Sequence, residues 1–154
     1  MKILFLCTDN FTRSIIAEYC LKDYLLKNHI QHISVSSAGI RANSDISKYS
    51  RLHFEILKEM DIDTSEWSRT PFSEDFFIEY DLIIGMSELH IDFIKQEYDR
   101  EISLFNKVYN GLNTPVNIGS PDSPNFEVQM RALVQYFKDA MPSLLKNIEK
   151  MRSN

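Results

Sequence analysis

Cys7 and Arg13 stand six residues apart, with Ser14 directly after, in the opening stretch MKILFLCTDNFTRSIIAE. A short apolar run, Ile3 to Leu6, delivers the cysteine into a polar segment, and a helical pattern starts at Ile15. That order reads as a strand, a tight loop and a helix N-terminus. A helix N-terminus presents unpaired N–H groups and the positive end of the macrodipole, so the loop is a natural anion site. Such a field favours a thiolate, the nucleophilic form of cysteine. Arg13 adds a planar fork of donors suited to a phosphate-like oxyanion. Cys7 as nucleophile, cradled by Arg13 and the backbone amides of Thr8, Asp9, Asn10, Phe11 and Thr12, describes a covalent phosphoryl-transfer site. Its chemistry also needs a group that protonates the departing oxygen and then activates water. Asp122, in GSPDSPNF, is the candidate, because a long irregular loop can carry a carboxylate over the first one.

Taken singly, these residues have plainer readings. A lone cysteine after an apolar strand is most often a buried small hydrophobe. An aspartate between proline and serine is an Asx-turn residue. It is the combination of Cys7, Arg13 and Ser14, between strand and helix, that turns the reading towards chemistry. The four histidines are scattered and read as surface or core residues. Cys20, inside the first helix, reads as packing, and Phe76, Phe77 and Tyr80, at helical spacing, read as core.

The elements that must position these groups follow from patterning. Lys2 to Leu6 is a buried strand, since its apolar run is continuous rather than alternating. Ser14 to Asn28 is a helix whose buried face is supplied by Ile15, Ile16, Tyr19, Leu25 and Leu26. His32 to Ser37 is a strand, followed by a turn at Ala38-Gly39. Ser50 to Met60 is a helix carrying Leu52, Ile56, Leu57 and Met60 on one stripe, and Asp61 to Pro71 is irregular. Ser73 caps a short acidic helix, SEDFFIEY, before a strand over Asp81 to Met86. A helix over Glu88 to Tyr98 and a short strand over Ile102 to Phe105 come next. Asn106 to Asn125 holds three of the five prolines and two of the four glycines, so it reads as a long loop. A closing helix runs from Phe126 to about Lys150, with Pro142 placed to kink or divide it. Strands alternating with helices predict an α/β domain with a parallel sheet, and ligands in such sheets bind beyond the strand C-termini, where Cys7 lies.

The whole composition fits one domain over residues 1–154. A net charge of −5 and a pI near 5.3 argue against nucleic acid or an anionic membrane as the main partner. Two cysteines without metal-like spacing suit a reducing cytoplasm rather than a disulfide scaffold. The apolar start is too short for a signal peptide, and no run approaches transmembrane length. Nothing in the sequence calls for a metal or cofactor.

LFLCTDNFTRSIIAE resembles the signature of the low-molecular-weight protein tyrosine phosphatases, Cys-x5-Arg-Ser after a first strand. The likeness continues in order through Val35-Ser-Ser-Ala-Gly39, Ser68-Arg69, the acidic helix at Ser73 to Phe76, Tyr80 to Met86, and Pro121-Asp122-Ser-Pro124 with a long helix behind it. The resemblance implies a three-layer domain with a four-stranded parallel sheet flanked by helices, and a metal-free, two-step hydrolysis of a phosphotyrosine protein or aryl phosphate by a monomer or weak dimer. Cys7 would attack phosphorus, Arg13 and the loop amides would bind the equatorial oxygens, and Asp122 would serve as acid and then base. Ser14 would hydrogen-bond the Cys7 sulfur, while Asn10 and Ser37 would brace the loop.

Several positions depart from that family pattern. Asp9 stands where glycine is usual, and its carboxylate, if aimed into the loop, would weaken phosphate binding. Thr12 replaces a second loop cysteine, so no neighbouring thiol can protect Cys7 by a disulfide. Ile15 replaces a helix-starting proline, and Ser123 separates Asp122 from Pro124. Asn43 falls near the family's cleft tryptophan, leaving Phe11, Phe126 and Tyr49 to wall the leaving-group site. A bulky Phe11 favours a phenyl leaving group over phosphoarginine. The rival readings are a non-catalytic phosphopeptide-binding module, favoured by Asp9, and an arsenate reductase, disfavoured by the lack of relay cysteines beyond Cys20.

Overall fold

The apolar run at the start of the chain is continuous because its strand is covered on both faces. A computed structural model describes residues 1–153; the last residue of the expected domain lies outside them. Strand β1 (Lys2–Cys7) turns Ile3, Phe5 and Cys7 to one side of the sheet and Leu4 and Leu6 to the other. It pairs in parallel with β2 (Ser34–Gly39) and with β3 (Leu82–Gly85), and β3 pairs in parallel with β4 (Ser103–Leu104). The order is β2-β1-β3-β4, the four-stranded parallel sheet that the resemblance implied.

Helices α1 (Arg13–Lys27), α2 (Leu52–Glu59), α5 (Phe105–Asn110) and α6 (Phe126–Arg152) contribute to the larger core with Ile3, Phe5 and Cys7. Helices α3 (Phe76–Glu79) and α4 (Glu88–Tyr98) cover Leu4, Leu6, Ala38 and Ile83. There Phe76, Phe77 and Tyr80 pack with Phe72 and Tyr98, as the reading of them as core expected. Among the described residues, no helix is long and apolar enough to cross a membrane.

Five local expectations change. Leu26 is exposed, because a helix that turns Leu21 and Leu25 inward swings the next residue about 100° away. Ala38 and Gly39 end strand β2 instead of forming a turn. The stretch expected to be loop from Asn106 begins as helix α5, whose Phe105 and Val108 are drawn into the core. Ser73 does not cap α3: Asp75 holds the cap position, and the Ser73 Oγ only accepts a long 3.4 Å bond from its backbone N–H. Pro142 does not divide α6, which runs unbroken from Phe126 to Arg152. The proline lies on the exposed face, where water can serve the carbonyl it leaves unpaired. The opposite face buries Met130, Val134, Phe137, Met141, Leu144 and Ile148 at helical spacing.

Gly39 sits where two backbones meet. A Cβ there would lie 2.6 Å from the Asn10 nitrogen and 2.8 Å from the Thr8 carbonyl oxygen, so the loop after β1 can settle against β2 only over a glycine. Gly39→Ala is expected to push that loop outward at a cost of about 1–3 kcal/mol. Urea unfolding measures this, and an unchanged midpoint would contradict the close approach.

Candidate active site

Strand β1 ends at Cys7 and helix α1 begins at Arg13, so Thr8 to Thr12 form a five-residue loop between a buried strand and a helix start. Thr12 occupies the cap position without a side-chain cap, so the first-turn N–H groups of α1 are left to the loop's interior. The loop contains no glycine, and Asn10 supplies its one left-handed backbone, at φ 50°. Asparagine tolerates that region better than most residues.

The Asn10 side chain is fully buried, and both its oxygen and its nitrogen are hydrogen-bonded. Its Oδ1 accepts from the Thr70 N–H at 2.8 Å, which fixes the amide orientation. Its Nδ2 then donates to Ser14 Oγ and to Ser37 Oγ, both at 2.9 Å. Ser37 Oγ in turn donates to Glu18 Oε1 at 2.6 Å, and the Lys22 ammonium pairs with that carboxylate. Ser14 Oγ accepts from Asn10 and lies 3.0 Å from the Cys7 sulfur, where its hydroxyl can donate to a thiolate. The network therefore presents the sulfur with a donor, as a thiolate or a departing thiolate requires.

Arg13 is held by Nη1 hydrogen bonds to the Val116 carbonyl at 3.2 Å and Asn117 Oδ1 at 3.3 Å. Among the described residues its Nε and Nη2 have no protein partner, which leaves one edge of the fork for an oxyanion. On the far side, Thr8 Oγ1 meets His90 Nε2 at 3.0 Å. The His90 Nδ1 accepts from the Met86 and Ser87 N–H groups, so the ring proton sits on Nε2 and is donated to Thr8. Burial, followed by the Arg13 charge, holds His90 neutral down to about pH 3.

Asp9 does not aim its carboxylate into the loop. Oδ1 accepts from Ser44 Oγ at 2.6 Å and Oδ2 from the Tyr49 hydroxyl at 3.1 Å. Phe11 also differs from expectation. Its ring is 1% exposed and packs edge-on against Tyr49, His53, Phe54 and Trp67, beneath the loop, so only its backbone can reach a bound phosphate. His53 donates from Nε2 to the Phe11 carbonyl at 2.7 Å, and burial pushes its titration down to about pH 4.

Asp122 is exposed in a turn in which Ser123 donates to the Ser120 carbonyl, and no described residue hydrogen-bonds its carboxylate. Gln129 of α6 fastens this loop, accepting from the Gly119 N–H and donating to Asn125 Oδ1 and, at 3.4 Å, to Ser123 Oγ. Between the two loops lies an apolar concavity of about 150 Å³ lined by Thr12, Tyr49, Ser50, Ile118, Pro121 and Phe126. The expected Cys7, Arg13, Ser14, Asn10 and Ser37 thus converge, and Phe126 and Tyr49 wall the cleft that Phe11 does not. His90, Arg69, Glu18, Asn117 and Gln129 were not foreseen; for His90 the Ser-x-x-His spacing of a capping box was a readable signal.

Residues 2–154 match the family described as low molecular weight phosphotyrosine protein phosphatase. The chain belongs to that family. It is 31% identical over 107 residues to the low molecular weight protein-tyrosine-phosphatase PtpB of Staphylococcus epidermidis, covering 68% of this chain and 70% of that protein. Among solved structures, the fold is shared with a cysteine-to-serine variant of the YwlE arginine phosphatase whose active-site serine is phosphorylated (TM-score 0.83, 23% identity, 99% of each chain). It is also shared with the Drosophila arginine phosphatase DARP (TM-score 0.80, 20% identity, 96% of this chain and 98% of that one).

Both buried histidines are neutral in the folded protein, whereas an unfolded histidine titrates near 6.5. As pH falls below that value the unfolded chain takes up protons that the folded protein refuses. Stability is therefore full above about pH 6.5 and is lost down to about pH 4, where His53 titrates, and further towards about pH 3 for His90. The expected loss is on the order of 3 kcal/mol for His53. Urea unfolding as a function of pH checks this against His53→Gln. Equal pH slopes for the two proteins would contradict it.

Proposed function

We propose that this protein hydrolyses phosphotyrosine in proteins through a phosphocysteine intermediate on Cys7. The Cys7 sulfur attacks phosphorus in line with the phenolic oxygen. An S–P bond forms as the P–O bond to the ring breaks, and Asp122 gives its proton to the leaving phenolate. A water then transfers a proton to Asp122 and attacks phosphorus. The S–P bond breaks, and the sulfur leaves as a thiolate towards the Ser14 hydroxyl. Arg13 and the backbone amides from Thr8 to Ser14 hold the three equatorial oxygens as charge develops on them. The acid and electrostatic contributions of such groups are typically factors of about 10²–10⁴ and 10²–10³.

The observation that carries the phosphotyrosine reading is the apolar concavity beside Thr12, walled by Tyr49 and Phe126, where a flat aryl group fits. The argument from a bulky Phe11 falls away, since that ring lies beneath the loop. The non-catalytic alternative loses its main support because Asp9 is turned towards Ser44 and Tyr49. A thiol relay is disfavoured as well, since burial pushes the Cys20 thiol up to about 12. Two free cysteines fit action in a reducing cytoplasm.

Hydrolysis of a phosphotyrosine peptide and its phosphoarginine counterpart, by the native protein, Cys7→Ser and Asp122→Asn, tests the reading. Native turnover of the phosphotyrosine peptide in preference, none with Cys7→Ser, and a kcat about 10²–10⁴ lower with Asp122→Asn are expected. Preference for phosphoarginine would replace the substrate. Turnover that survives Cys7→Ser would overturn the mechanism.

A further inference from the structure

Asp9 and Phe11 both direct their side chains at Tyr49. The Asp9 carboxylate accepts the Tyr49 hydroxyl at 3.1 Å, and the Phe11 ring meets the Tyr49 ring edge-on at a centroid distance of 5.6 Å. The same carboxylate accepts from Ser44 at 2.6 Å. Arg69 completes the tie: Nε donates to the Asp9 carbonyl at 2.8 Å, Nη1 to the Ser44 carbonyl and Nη2 to Ser44 Oγ, both at 2.7 Å. The Arg69 charge thus reaches the Asp9 carboxylate through one hydroxyl and balances it on the side away from the loop's interior. Residues 40–50, which carry Tyr49, contain no helix or strand, so these contacts, with the Tyr49 N–H bond to the Ile46 carbonyl, set where the ring stands.

From this geometry we infer that Asp9 is a positioning residue for the leaving group: it pins Tyr49 as the wall of the aryl-binding cleft and so couples that wall to the phosphate-binding loop. The inference rests on the reading of the concavity as the leaving-group site. It makes Asp9 a determinant of selectivity for aryl over alkyl phosphates. The phosphate itself is bound by groups that the Asp9 carboxylate does not touch. Burial and the Asp9 carboxylate both raise the Tyr49 phenol above its usual titration range, which supplies a readout of the contact separate from catalysis.

The test compares the native protein with Asp9→Ala, Asp9→Asn, Tyr49→Phe and the Asp9→Ala/Tyr49→Phe double variant. KM for phenyl phosphate and the inhibition constant of inorganic phosphate are measured for each. Asp9→Ala and Tyr49→Phe are expected to raise KM for phenyl phosphate about three- to tenfold, the size of one hydrogen bond, with kcat little changed. The inhibition constant of phosphate stays the same, and the double variant is no worse than Asp9→Ala, because both changes break one contact. Asp9→Asn, which keeps an acceptor oxygen, falls between native and Asp9→Ala. In Asp9→Ala the Tyr49 phenol, followed by NMR, titrates at lower pH than in the native protein. Tighter phosphate binding or a lower KM in Asp9→Ala would show that the carboxylate acts by its charge on the loop, and would overturn the inference, as would an unchanged KM. If the native protein fails to turn over phenyl phosphate, the phosphatase reading fails instead. The clamp is then judged by affinity for phenylphosphonate relative to phosphate: a loss in Asp9→Ala supports it and equal ratios refute it.

Discussion

One side-chain amide carries the geometry of the site. Asn10 takes the loop's left-handed turn and is buried completely, so none of its polar atoms can fall back on water. A buried amide left unpaired costs about 1–3 kcal/mol per group, and here each group has a partner from a different part of the chain. Thr70 lies in the irregular segment before α3, Ser37 in β2 and Ser14 in α1. Because the Thr70 N–H can only donate, the amide cannot flip, and its Nδ2 must donate to both the Ser14 and the Ser37 hydroxyls.

The sheet makes this affordable. Parallel strands buried on both faces place their C-terminal ends along one edge, and the helix that crosses back over β1 starts at that edge with uncapped N–H groups. Glycine at position 39 lets the loop lie against the end of β2, and Arg69 and His90 hold its outer side through Asp9 and Thr8. A loop with no glycine of its own is thus rigid from contacts around it. Rigidity of this kind is what an electrostatic site needs, since its donors must already face the place where charge develops.

Much of this was legible in the sequence because it is local. Cys7, Arg13 and Ser14 belong to one strand–loop–helix unit, and their spacing fixes their relation without reference to the rest of the fold. The parallel α/β sheet followed from alternating strands and helices, and its four strands from the family resemblance. What stayed hidden depends on distant partners. Phe11 sits in an irregular loop, where no periodicity says which way a ring points; the aromatic cluster of His53, Phe54 and Trp67 decides it. Asp9 reads as a charge beside a phosphate until Ser44 and Tyr49 are seen to claim it. Helix α5 has the weak local propensity of its Asn residues against it, and forms because Phe105 and Val108 are pulled into the core. Asp122 is a candidate on its long loop and its place in the order of the resemblance, while the fastening of that loop through Gln129 is a tertiary contact that spacing does not announce.

Calorimetric titration of inorganic phosphate into the native protein and into Asn10→Ala, with circular dichroism to establish that the fold persists, tests the central role of the amide. Loss of phosphate affinity by about tenfold or more, in a protein that remains folded, is the result this account predicts. Equal affinity in a folded Asn10→Ala protein would contradict it, because the loop would then hold its anion-binding shape without the contact on which everything here depends.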